Sequence, residues 1–117
     1  RCSYIYSSVA GESWSDRRLK HDIKKISAKA ASEIIFELRP VSFKMNDRDI
    51  PGMGFIAQEV RKICKKYDLD LPLYGQHDKH YTIPYTNYIP LLVSVIQTQQ
   101  KEIDRIKRMV RKEMQNV

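Results

Sequence analysis

Apolar residues recur at helical spacing in three stretches of the chain and alternate in a fourth. Over residues 27–39, Ala31, Ile34, Ile35 and Leu38 fall at i, i+3, i+4 and i+7, which is one face of a helix. Ser27 is placed to cap it and Pro40 to end it. Val41-Ser42-Phe43-Lys44-Met45 then alternates strictly, which predicts a half-buried strand. Asn46-Asp47 and Pro51-Gly52 read as turns. Over residues 56–67, Ile56, Val60, Ile63, Cys64 and Tyr67 form an apolar stripe opposite a charged one, so a second helix is expected. Residues 68–84, with Pro72, Gly75 and Pro84, read as an irregular loop with room for a short hairpin. The last segment, residues 88–117, has Asn87 as a candidate cap and Pro90 in its first turn, where a missing N–H does no harm. Beyond Pro90 neither Gly nor Pro interrupts it, which predicts a helix of about 40 Å.

That helix carries a second pattern. With a at Ile89, Ile96, Ile103, Val110 and Val117, d falls at Leu92, Gln99, Ile106 and Glu113. β-branched residues fill every a position and Ile106 adds an isoleucine at d, a combination that favours trimers over dimers. Gln99 at d predicts a polar layer that fixes register, Glu102 (g) and Lys107 (e) have the spacing of an interchain pair, and Glu113 at d predicts fraying near the end. The other reading is a helix that folds back on its own domain. The preceding residues offer too little apolar surface to cover 40 Å, so an intermolecular seam is expected. The expected fold class is therefore α+β: a small mixed head of helices plus short strands, with a long C-terminal helix forming a parallel trimeric coiled coil.

Two stretches before the first helix differ in character. Residues 1–14 are rich in Ser and Tyr and nearly uncharged. Tyr4-Ile5-Tyr6 has β-propensity and Ala10-Gly11 reads as a break, so this stretch is expected to end an upstream β-rich region. Residues 15–26 are dense in charge, with Leu19, Ile23 and Ile26 at i, i+4 and i+7; a helix and a half-exposed docked segment both fit. The chain lacks an initiator Met and a signal-peptide pattern, and reads as a piece of something longer.

Composition narrows the function classes. The chain has 117 residues, 42% of them hydrophobic, enough for one packed domain. Its longest apolar run, about Tyr88 to Ile96, is too short for a membrane span, so no membrane partner is expected. Cys2 and Cys64 cannot make a disulfide framework; Cys64 lies on an apolar stripe and reads as an inert buried thiol. The net charge of +7 invites a nucleic-acid reading. In the heptad register, however, Lys101, Arg105, Lys107, Arg108, Arg111 and Lys112 ring the bundle instead of forming a stripe, so a basic nucleic-acid-binding coiled coil is the weaker alternative. His77 and His80 form H-x2-H with only His21 left over, so no metal is expected, and with no Gly-rich phosphate loop, no cofactor. The Tyr81–Tyr88 aromatics read as packing at the helix root.

One pair carries chemistry. Ser15 lies where the low-charge stretch meets the charged one, and Lys20 follows at i+5. A serine hydroxyl needs a base to become a nucleophile, and a lysine amine is a base only where burial or nearby cations favour its neutral form. Arg17, Arg18, Lys24 and Lys25 offer the cations, and Leu19 and Ile23 are candidates for a dry wall. The bland alternative is that Ser15 caps a helix.

The run Ser15-Asp16-Arg17-Arg18-Leu19-Lys20-His21-Asp22-Ile23 resembles the start of the C-terminal intramolecular chaperone domain of phage tailspikes and endosialidases. Leu38-Arg39-Pro40-Val41-Ser42-Phe43, Gly54-Phe55-Ile56-Ala57-Gln58-Glu59-Val60 and Ile89-Pro90-Leu91-Leu92 through Ile96-Gln97 resemble further blocks of that family, in order, over roughly residues 15–106. The resemblance implies a domain at 15–117, with its helix at 88–117, that trimerises and guides folding of an upstream β-helical fibre. It then implies self-release by autoproteolysis, with Ser15 as nucleophile and Lys20 as base. Asp16 and Arg18 match motif positions without a chemical role of their own. The implied partners are two more copies and the upstream fibre. The implied setting is the bacterial host cytoplasm during phage assembly, with the parent protein in a virion tail or neck appendage. The cut falls within Trp14-Ser15-Asp16. Attack of the Ser15 hydroxyl on the Trp14 carbonyl closes a five-membered ring, whereas attack on its own carbonyl needs a strained four-membered one. An external water or another subunit's serine leaves the second bond open as well. Without the catalytic step, the same sequence reads as a plain trimerisation module.

Overall fold

The computed structural model describes residues 12–116. Cys2, the Tyr4-Ile5-Tyr6 segment, the Ala10-Gly11 break and the last a position, Val117, lie outside them. The described chain opens with an extended arm containing a single 3-10 turn, Arg17–Leu19. The elements that follow are α1 (Ala28–Glu37), β1 (Val41–Lys44), β2 (Pro51–Gly54), α2 (Ala57–Lys66), β3 (Gly75–His77), β4 (His80–Thr82) and α3 (Tyr88–Gln115).

Three helices build the core. Ser27 caps α1 as expected: its hydroxyl accepts from Ala30 N–H at 3.3 Å. Ala31 and Ile34 of α1, Val60 and Cys64 of α2, and Tyr88, Leu91 and Val95 of α3 are all buried, joined by Leu73 from the loop. Desolvation holds the Cys64 thiol above its ordinary value, consistent with an inert core residue. The Tyr88 hydroxyl donates to the Leu73 carbonyl at 2.5 Å, so the buried phenol is satisfied and ties the loop to the helix root. Burial also pushes that phenol well above the usual tyrosine range.

The two hairpins are separate two-stranded sheets. β1 and β2 pair antiparallel with Val41 opposite Gly54 and Lys44 opposite Pro51, and β3 pairs with β4. The Pro51-Gly52 reading needs correction: this dipeptide starts β2 and does not form a turn. A proline at the first residue of an edge strand forfeits no needed donor. Gly52 lies under Phe43, and a Cβ there would come within 2.7 Å of the ring. The turn itself is at residues 46–48.

A second correction concerns Asn87. It does not cap α3 with its side chain; its amide donates to the Pro72 carbonyl at 2.9 Å, and a 3-10 turn, Tyr85–Asn87, leads into the helix. A long-range bond to the loop competes with the local cap and wins. At 28 residues, α3 is about 42 Å long. Among the described residues no helix is long and apolar enough to cross a membrane.

Candidate functional site

Ser15 and Lys20 are brought together by one turn. Asp16 adopts an extended backbone and caps the turn, accepting from Arg18 N–H at 2.9 Å. Leu19 N–H then donates to the Asp16 carbonyl and Lys20 N–H to the Arg17 carbonyl. Lys20 returns to extended geometry, and its Nζ donates to Ser15 Oγ at 2.6 Å. Ser15 is therefore not the cap; Asp16 is. An amine held at this distance is within proton-transfer reach of the hydroxyl.

The surroundings of the pair differ from the sequence expectation. Leu19 is 47% exposed and Ile23 55%, so neither builds a dry wall within one chain. Trp14 is half exposed. Of the four expected cations, Arg18 forms a two-point pair with the Asp16 carboxylate, at 3.1 and 2.8 Å. That guanidinium holds the Asp16 carboxyl below the usual carboxylate range, helped by the Arg18 N–H. Asp22 takes a left-handed backbone (φ 53°), a conformation that aspartate tolerates better than most residues, and redirects the chain after the pair.

A second feature runs along α3. The helix packs on the head through Tyr88, Leu91 and Val95, which are not seam positions. Ile89, Leu92, Ile96, Gln99, Ile103, Ile106 and Val110 all remain exposed. The helix thus does lean on its own head, but with a different face, and among the described residues the a/d stripe stays exposed. Phe36 of α1, 64% exposed, flanks the stripe near Gln99, Ile103 and Ile106 and widens the apolar strip there. Glu102, expected to reach Lys107 of another chain, pairs here with Arg105 at 2.9 Å.

Three sets of contacts were beyond sequence reasoning. The Tyr85 hydroxyl accepts from Phe55 N–H at 3.0 Å across 30 residues, and a Cβ on Gly54 would collide with that hydroxyl. Gly54 is required because a tyrosine oxygen occupies its side-chain space. Phe55 also stacks on Tyr85 and Tyr88, so the aromatics do pack the root of α3. Arg39 and Glu59 join at 3.1 and 2.6 Å, which links the Leu38–Phe43 block to the Gly54–Val60 block. Lys66 and Tyr67 both reach Glu37. Among the described residues no three His, Cys, Asp or Glu side chains cluster as metal ligands; His77 and His80 face each other across β3 and β4.

Comparison with known proteins adds the family. Residues 15–69 match a peptidase family model described as "Chaperone of endosialidase". Over these residues the chain is similar to the endosialidase-chaperone family. The match begins at Ser15 and takes in Lys20, the Arg39–Glu59 link and Gly54. A solved structure described as that of a novel intramolecular chaperone has a TM-score of 0.60 to this chain at 21% identity, covering 75% of this chain and 99% of its own. At that identity the likeness is one of fold. No curated protein matches.

Proposed function

We propose that this endosialidase-chaperone domain trimerises through α3, directs folding of a fibre upstream of Ser15, and then severs the Trp14–Ser15 bond. The observation that carries the reading is the 2.6 Å contact between Lys20 Nζ and Ser15 Oγ. The neutral Lys20 amine takes the hydroxyl proton, and Oγ attacks the Trp14 carbonyl carbon through a five-membered ring. The C–N bond breaks, and the Lys20 ammonium returns the proton to the Ser15 nitrogen. Water then hydrolyses the ester, leaving a Trp14 carboxylate, a free Ser15 amine and a restored hydroxyl. One water is consumed for one peptide bond.

Assembly is the proposed trigger. A lysine is a competent base only where its charged form is disfavoured, and Leu19 and Ile23 stand exposed beside the pair in a single chain. Two further copies, zipped along the uncovered a/d stripe, supply the missing cover. The coupling has a physical rationale. Interwoven β fibres fold slowly because their contacts are distant in sequence, and joining three chain ends raises their effective concentration to roughly millimolar. Cutting afterwards leaves the fibre kinetically trapped, without its template. Phage assembly in a bacterial host is the setting in which such a fibre is made.

Intact mass and light scattering on the same sample test both halves. Wild type is expected to be trimeric and to lose the residues before Ser15, whereas Ser15→Ala and Lys20→Ala stay trimeric and whole. Ile103→Asp with Ile106→Asp is expected to give uncut monomer. Cleavage in that monomer contradicts the assembly trigger, and a whole wild-type trimer leaves only a trimerisation module.

A further inference from the structure

Two charged residues lie inside the Ser15–Lys20 span, and the proposed reaction uses neither. Their geometry answers a problem that the spacing poses. In an extended strand, residues five apart face opposite sides and stand about 17 Å apart. In an α-helix they are about 140° apart around the axis. Neither regular structure brings Ser15 to Lys20. The chain solves this with an extended residue, one 3-10 turn and a second extended residue.

Asp16 makes that sequence of conformations self-consistent. Its Oδ1 accepts from Arg18 N–H at 2.9 Å, satisfying a donor that the short turn leaves without a backbone partner. Its carbonyl accepts from Leu19 N–H at 3.0 Å. The Arg18 side chain then grips both carboxylate oxygens, at 3.1 and 2.8 Å. The grip does two things. It holds the carboxylate over the turn, and it gives the charge of Asp16 a partner other than the Lys20 ammonium. No residue from Glu12 to Lys20 is buried, so core packing does not set this geometry.

We infer that Asp16 is the positioning residue of the Ser15–Lys20 pair, closing the turn that returns Lys20 to Ser15, and that Arg18 locks it in place. The inference rests on the dyad reading above and deepens it. It also distinguishes two roles for the carboxylate. A cap needs only an acceptor oxygen, which asparagine supplies; a purely electrostatic role needs the negative charge.

The test is the single-turnover cleavage rate of the full chain, followed by intact mass, with trimer mass recorded for each variant. Asp16→Ala is expected to slow cleavage at least about tenfold, since misplacing a catalytic group by an ångström can cost about a hundredfold. Asp16→Asn keeps an N-cap oxygen and is expected to restore the rate to within about threefold of wild type. Arg18→Gln, which keeps the backbone donor and loses the grip, is expected to fall between them. All three are expected to remain trimeric.

Asp16→Ala cutting at the wild-type rate overturns the inference. So does Asp16→Asn cutting as slowly as Asp16→Ala, which assigns the role to charge, or a loss of trimer in Asp16→Ala, which assigns the residue to folding. The dyad reading fails on separate arms: a Ser15→Ala or Lys20→Ala chain that still cuts, or a wild type that never does, removes that reading and this inference with it.

Discussion

From Glu12 to Lys25 every residue of the arm is exposed, and the hydrogen bonds that close its turn span five residues or fewer. From Ala31 to Val95 the head is ordered by contacts between residues far apart in sequence: Ile34 meets Val60 and Leu91 in one core, and Tyr85 reaches back to Phe55. In the proposed reaction the arm carries the chemistry, and the head carries the stability. The difference teaches where control can act. A site closed by local bonds on an open surface responds to whatever covers it, while a core of three helices does not. The proposed self-cleavage gives a reason to separate them: under it the head persists before and after the cut, and the pair waits for assembly.

Substitutions on the two sides should separate cleanly. The largest expected effect is Ser15→Ala, which should abolish cleavage while leaving the melting temperature of the head unchanged; a clear fall in that temperature would mean that arm and head fold as one unit. Leu91→Ala should lower head stability by about 2–5 kcal/mol by leaving a cavity among the three helices. Denaturant unfolding followed by helix signal measures it. Gly54→Ala should cost about 1–3 kcal/mol, because the new methyl displaces the Tyr85 hydroxyl and strands the Phe55 N–H. Pairing it with Tyr85→Phe sharpens the point: the double variant should lose less than the sum of the two singles, since both break one contact.

The smallest effect belongs to the surface pair that joins the two sequence blocks. Arg39 holds the Glu59 carboxyl below its ordinary value of 4.5, chiefly through the two-point hydrogen bond. A carboxylate lowered in the folded state adds stability that is complete above the unfolded value and is lost as the pH falls through the folded one. The advantage of wild type over Arg39→Met should therefore be small, full above pH 4.5, and fade on acidification below it. Melting curves of both proteins across that range check the sign. An advantage that grew on acidification would show that the pair does not contribute in this way.

Much of the head was readable because its signals are local and periodic. Ala31 and Ile34, and Val60 and Cys64, sit at helical spacing and are buried where that spacing put them. The alternation from Val41 predicted β1. The failures share one cause. Pro51-Gly52 and Asn87 carry turn and cap chemistry, yet a partner distant in sequence claimed each: Lys44 across the hairpin and the Pro72 carbonyl. Arg18 failed in the same way on a shorter scale, since a carboxylate two residues away took the cation expected beside Lys20.

The sequence by itself determined the helices, the first strand and the a/d stripe, because spacing along a chain fixes which residues share a face; it nominated Ser15 and Lys20 as a pair without saying how they meet. Only the tertiary structure decided that α3 meets its head through Tyr88, Leu91 and Val95 and leaves the stripe bare, and that Gly54 makes room for Tyr85. Those choices depend on which of several competing partners lies nearest in space, and distance in space is what a linear sequence does not carry.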